Sequence, residues 1–421
     1  MKKLFAILLC AMMLFSLTAI AEAPAPTATP VPDPVFTDAK ILTKVLDEGQ
    51  AVYGVRLEFA GEWDSGALLP ADFGVNGYSI VQVYMNNSGK PGHAELRGKY
   101  VFIIFDEPQG IGAGLTNTLQ YFSGSNTLRD LTLNVQFTSR QMMFDAKGYI
   151  HVEIDDFIAG SVTNADGYKT DYQLYIPEGW EGKSLPLFIW LHGGGERGTN
   201  NFTQLSANRS ALNYITPAAQ KRNPAFVLAP QGHSGWDGPA IDNINTIVLE
   251  LIEKYNIDAA RIYVSGCSMG GGGSKSLMFA YPEMIAASVV IANANLSEDE
   301  ARLAAYKDIP IIVITGAADG GGTANERMVQ NYELVTSLGY KAVAFLSENG
   351  RNGYLRGEEA AMDLQPVIDA MAKEEAMWAF VTYLPGTVIP SAHWSWMAAT
   401  ENAALQDWMF SKVKAVPYSG K

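Results

Sequence analysis

A single serine stands among glycines where residues 264 to 274 read VSGCSMGGGGS, and Gly266, Ser268 and Gly270 space it as GxSxG. Arg261 to Val264 (RIYV) reads as a short buried strand running into this stretch, and SKSLMFAYPE beyond it carries helical spacing. In a strand–turn–helix context GxSxG is a nucleophile elbow, a turn so tight that the residues two places either side of the serine must be very small. The turn pushes the hydroxyl out at the carboxyl edge of the sheet, at a helix N-terminus that favours negative charge. A phosphate loop is excluded: Lys275 follows Ser274, and Met269 stands six residues earlier where that loop needs glycine.

Acyl transfer also needs two N–H donors for the developing oxyanion. The segment LHGGGERG, 191 to 198, directly follows the strand PLFIW and offers one from a glycine-rich loop. The expected pair is the amide of Met269, next after the nucleophile, and that of Gly194. Gly193, Gly195 and Gly198 also spell GxGxxG, but no acidic residue follows at about 20 positions to hold a ribose, so a dinucleotide site is disfavoured. His192 reads as a structural anchor for the loop.

A serine nucleophile requires a base and an orienting acid, in the chain order serine, acid, histidine. Only one histidine follows Ser268, namely His393 in SAHWSWM, between the strand pattern AFVTYLPG and the last helix. For the acid, Asp319 closes TGAAD at the end of the strand IPIIVI; Asp363 and Glu348 are weaker substitutes. The five histidines are scattered and none pairs at zinc-ligand spacing, so neither a metal nor an organic cofactor is expected.

The runs PLFIWLH, AFVLAPQ, RIYVSG, ASVVIANA and IPIIVITG are continuously apolar, as strands buried on both faces are. Amphipathic helices are expected between them, among them 241–255 and 323–339. Residues 166–421 therefore read as a doubly wound, mostly parallel α/β domain. Ahead of it the signal has period two: Val55, Leu57 and Phe59 alternate with Arg56 and Glu58, and Ile150, Val152 and Ile154 alternate likewise. Residues 35–165 are predicted to be a small antiparallel β-sandwich.

At the amino end, Lys2 and Lys3 precede an uncharged apolar run from Leu4 to Ile20 that closes on Ala19-Ile20-Ala21. That pattern predicts an export signal over 1–21, cleaved near Ala21, and a secreted, extracellular or cell-envelope protein. Residues 22–34, EAPAPTATPVPDP, read as an extended proline-rich tether. Cleavage removes Cys10 and leaves Cys267 as the one cysteine, which excludes an intrachain disulfide. The formal charge of −14, with basic residues scattered singly, disfavours nucleic acid and an anionic membrane as partners. The sequence does not bear on oligomeric state.

Through LYIP, PLFIWLHGGGERG, VLAPQ with Trp236, IDAARIYVSGCSMGGGG, TGAAD and HWSW the chain resembles the secreted esterases and "predicted peptidases" of the α/β-hydrolase superfamily, related to feruloyl esterases and polyhydroxybutyrate depolymerases. Some members of that family carry an immunoglobulin-like domain in front, and the resemblance implies the triad Ser268, Asp319 and His393 with a substrate-binding aromatic rim near Trp236. It departs from the pattern at Thr315-Gly316 before the acid, at Gly320 to Gly322 after it, and in an extra segment from Ser347 to Trp378. That segment is a candidate lid, with a helix interrupted near Pro366.

The expected activity is hydrolysis of a carboxylic ester by a serine, on acetyl, feruloyl or similar groups linked to plant polysaccharide. The alternatives are a serine peptidase, a polyhydroxyalkanoate depolymerase, or a carbohydrate-binding protein that has lost catalysis. The sandwich supplies no triad residue, so a chain beginning near Asp166 is expected to keep most activity on small esters.

Overall fold

The computed structural model describes residues 33–106, 118–295 and 300–420. The proposed export signal, all but the last two residues of the tether, and the turn cluster EPQGIGAG lie outside them.

The period-two region builds a sandwich. One sheet runs in the order Tyr149–His151, Phe36–Leu46, Gly49–Asp64, Arg97–Phe105, Ile80–Asn86, and a second in the order Phe73–Val75, Thr132–Phe137, Met142–Lys147. The inward residues of the two sheets meet in one core, where Val55, Leu57, Phe59, Trp63 and Ile103 pack with Val135, Phe137 and Phe144. A separate hairpin, Leu119–Phe122 with Ser125–Leu128, projects from this domain.

The remainder is organised on a nine-stranded sheet. Its first three strands, Phe157–Thr163, Lys169–Tyr175 and Phe226–Gln231, pair antiparallel. The rest pair parallel in the order Phe226–Gln231, Leu187–Leu191, Ile262–Cys267, Ala287–Ile291, Ile311–Gly316, Trp378–Tyr383 and Ala342–Phe345. Successive side chains of one strand enter opposite cores: Phe188 and Trp190 face one layer of helices while Leu187, Ile189 and Leu191 face the other. This explains the uninterrupted apolar runs, since neither face of a central strand meets water.

Three expectations are corrected. The domain boundary lies between His151 and Phe157 rather than at 165/166, because Phe157–Thr163 is an edge strand of the large sheet. Of its residues only Phe157 and Val162 are buried, entering opposite cores of the large domain, while those between them are exposed or half-exposed as at a sheet edge. Val152 and Ile154 likewise belong to no strand: the chain turns at Glu153 (φ 75°) into a short 3₁₀ turn, Ile154–Asp156.

The segment from Ser347 to Trp378 is no lid. It forms one helix, Gly357–Lys373, whose Ala360, Leu364, Val367 and Met371 are buried, the last three in the core beneath the sheet, and Trp378 opens a central strand. The helix passes through Pro366, which has no N–H for the Met362 carbonyl. Met362 is 74% exposed, on the face where water can take that carbonyl.

The two domains are joined by more than the chain. Arg209 grips Glu153 with both guanidinium nitrogens, at 2.7 and 2.9 Å, and donates to the Val45 carbonyl at 2.6 Å. Val45 and Ile154 enter the same core as Phe157 and Trp190. A chain beginning near Asp166 lacks Val45, Ile154 and Phe157, whose burial contributes about 2 kcal/mol each. Together they amount to a large share of a typical domain stability. Such a chain is therefore expected to melt far below the full protein or not to fold, reversing the expectation above; a cooperative melt at the parental temperature would refute this.

Candidate active site

Ser268 lies between the strand Ile262–Cys267 and the helix Met269–Ala280, with φ 54° and ψ −112°, a conformation few residues tolerate. The turn is held by Ser268 N–H donating to the Ile291 carbonyl (2.9 Å) and by the Asn293 amide donating to the Ser268 carbonyl (2.8 Å). The flanking glycines are steric necessities. A Cβ on Gly270 would stand 1.9 Å from the Leu191 carbonyl oxygen, and one on Gly266 would stand 2.4 Å from that of Gly270.

Three side chains from separate sheet ends converge here. His393, in the turn Ala392–Trp394, places Nε2 2.9 Å from Ser268 Oγ and Nδ1 2.8 Å from Asp319 Oδ2. Thr315 Oγ1 donates to the same Asp319 oxygen at 3.4 Å. An ionised Asp319 accepts only, so Nδ1 carries the proton and Nε2 is left to accept from the serine hydroxyl. Partial burial opposes the charge on Asp319, but the hydrogen bond and charge of His393, the Gly320 amide and Thr315 outweigh it and lower the carboxyl below its ordinary value. Trp396 stands perpendicular to the imidazole, ring centres 5.5 Å apart, and restricts its rotation. Asp363 and Glu348 are not part of this group: Asp363 accepts from the Asn352 amide at 2.6 Å, and Glu348 sits in the turn Ser347–Asn349.

The loop after Leu191 is fixed from behind by buried polar groups. His192 Nε2 accepts from the Gly232 amide (2.9 Å), and burial holds its pKa near 4, so the ring stays neutral. The Glu196 carbonyl accepts from Thr203 Oγ1 and Gln231 Nε2, each at 2.9 Å. From the N-terminal domain, Asn126 of the projecting hairpin donates to the Gly195 carbonyl at 3.0 Å. Nothing lies within 4 Å of where a Gly194 Cβ would stand, and among the described residues the amides of Gly194 and Met269 donate to no other group.

Glu196 was not singled out in the sequence, yet it is only 6% exposed. Its carboxylate accepts from Asn208 at 2.6 Å, but burial dominates and raises its pKa to about 7. An acid raised in this way gives stability that is fully present below its ordinary value of 4.5 and lost as pH rises through about 7. Glu196→Gln is expected to remove about 3 kcal/mol of that fall. Urea unfolding of both proteins at pH 4.5 and pH 8 measures it, and parallel pH slopes would refute it.

Trp236 does not form the expected rim. It is buried, its indole N–H donates to the His192 carbonyl at 3.0 Å, and its ring packs 4.8 Å from the His192 ring. It braces the loop from inside. The cavity at the serine, of about 420 Å³, is lined instead by Met269, Ala292 to Asn295, Asp319, Gly320, Thr323, Ala324, Arg327 and His393. Among the described residues no three His, Cys, Asp or Glu side chains gather as a metal-binding group.

Residues 38–151 match the family model of the esterase Ig-like N-terminal domain. A crystal structure of a thermostable esterase superposes with a TM-score of 0.69 at 26% identity, over 90% of this chain and all of that one. The chain has an α/β-hydrolase fold behind an Ig-like domain. A ferulic acid esterase (15% identity, 60% of this chain and 97% of that one, TM-score 0.40) and a dienelactone hydrolase from Anabaena variabilis (15%, 61% and 98%, 0.36) are more distant and bear on nothing further. No curated protein sequence matches. With the Ig-like domain ending at 151, the match also agrees with the boundary placed before Phe157.

Proposed function

We propose that this hydrolase is a secreted serine carboxylesterase acting through an acyl-enzyme, with Ser268 as nucleophile, His393 as base and Asp319 as the acid that orients it. The observation that carries the reading is the unbroken chain of hydrogen bonds Ser268 Oγ, His393, Asp319 at the carboxyl edge of the sheet. Ser268 Oγ attacks the ester carbonyl as its proton passes to His393 Nε2. The carbonyl oxygen becomes an oxyanion facing the amides of Met269 and Gly194. His393 then returns the proton to the departing alcohol, leaving the acyl group on Ser268. A water, deprotonated by the same nitrogen, adds to that acyl carbon and frees the acid and the serine.

Export rests on Lys2, Lys3 and the apolar run after them. The cavity contains alanines, a methionine and amides but no Phe, Tyr or Trp ring, which favours acetyl and other small acyl groups over feruloyl ones. The resemblance to feruloyl esterases and their relatives is what suggests polysaccharide as the carrier. A panel of acetyl, feruloyl, hydroxybutyrate and peptide substrates tests the reading, together with labelling by a fluorophosphonate. Hydrolysis of acetyl esters and one phosphonyl group on Ser268 are expected; hydrolysis with the label elsewhere would overturn the assignment.

A further inference from the structure

Apart from Asp319, which His393 already engages, the cavity beside Ser268 has one ionisable wall that belongs to no step above. Arg327 lies in the helix Thr323–Ser337 and lines the same space as Ser268, Met269 and His393. Its Nη1 donates to Asn295 Oδ1, so the guanidinium is tethered to the wall instead of sweeping through solvent. That wall is itself fixed from the other side: the amine of the half-buried Lys275 donates to Asn293 Oδ1 at 2.7 Å and to the Asn295 carbonyl. A guanidinium carries five N–H donors in a planar fork, and one bond to Asn295 leaves most of them for a ligand. Among the described residues no carboxylate lies within ion-pair distance of it.

From this arrangement we infer that the site selects esters carrying a second, ionised carboxylate, bound by Arg327 while Ser268 attacks the ester. The inference rests on the esterase reading above and narrows its substrate. Long-range attraction is not the source of the preference, since the chain carries a net charge of −14 and its general field repels anions. The recognition is local. A carboxylate matches the fork in two parallel charge-assisted hydrogen bonds, where a neutral group of equal size offers no acceptor. Asn293, Asn295 and Thr323, which also line the cavity, make it a polar surround for such a group.

The carboxylate can sit on the acyl or on the alcohol part, and two isosteric pairs distinguish these. On the acyl side, monomethyl succinate is compared with methyl 4-methylpentanoate; on the alcohol side, acetoxyacetate with isobutyl acetate. Hydrolysis is followed by pH-stat at neutral pH with the full-length protein. In one pair the charged ester is expected to have the higher kcat/KM, and Arg327→Ala to lower the charged-to-neutral ratio about tenfold or more, mostly through KM. Arg327→Lys should restore part of the ratio and Arg327→Glu reverse it. Arg327 is exposed, so an unchanged melting temperature shows that the fold is intact. Turnover of the neutral esters with ratios unmoved by Arg327→Ala in both pairs would overturn the inference and leave the esterase reading standing. No turnover of any ester, p-nitrophenyl acetate included, would overturn both.

Discussion

Ser268→Ala is expected to lower kcat for p-nitrophenyl acetate by about 10⁶, leaving only what the oxyanion amides and binding supply. The size follows from the chemistry: without Oγ no acyl-enzyme forms, and His393 Nε2, 2.9 Å from the serine oxygen in the native site, can only activate a water that the site was not built to hold. Alanine keeps the Cβ, so the turn between Gly266 and Gly270 is undisturbed and substrate affinity should change little. Single-turnover kinetics would separate the two effects. A kcat within tenfold of the parent would remove Ser268 from the chemistry.

Asp319→Asn should cost about 10⁴ in kcat. Asparagine offers an N–H where Asp319 Oδ2 now accepts from His393 Nδ1 at 2.8 Å. The imidazole then places its proton on Nε2 and can no longer accept from the serine. Because the tautomer and not the geometry is at fault, KM should hold while kcat recovers with rising hydroxide concentration. The substitution also has a sign in stability. The Asp319 carboxyl is lowered in the folded protein, so its contribution is present above the ordinary value of 3.8 and is lost as pH falls through the lowered one. The asparagine variant should lack that acid-side loss. Near-normal turnover would send the search to Asp363, although the Asn352 amide and Arg351 already occupy its carboxylate.

The parts of the site that were legible in the sequence are those where the chemistry leaves few options. One histidine follows Ser268, and one aspartate closes the strand after the next. The parallel strands were legible for a related reason: burial on both faces demands apolar residues at every position, as in Leu187–Leu191. What failed was information carried by position in space. The rim near Trp236 is an implication of the family resemblance alone, since nothing local says which way an isolated ring turns, and this one turns inward onto His192. Asn126 reaches Gly195 from another domain, 69 residues away, and has no sequence signature at all. The edge strand Phe157–Thr163 follows directly on the period-two region, and with only Phe157 and Val162 buried its mostly exposed residues carry no local sign of which sheet they join.

The backbone at Ser268 (φ 54°, ψ −112°) places evolutionary pressures in opposition. Such conformations cost of order 1–3 kcal/mol and persist only because the surroundings impose them. Here the imposition comes from the Ile291 carbonyl, the Asn293 amide and the Leu191 backbone crowding Gly270. A lineage selected for endurance alone would relax the turn by drift at these supporting positions, each of which looks like ordinary packing. A lineage selected for turnover must conserve all of them together. Tolerance of exchange at Asn293, which acts through its side chain, and at Gly270, which has no room for one, among descendants of this chain therefore records whether catalysis is still under selection.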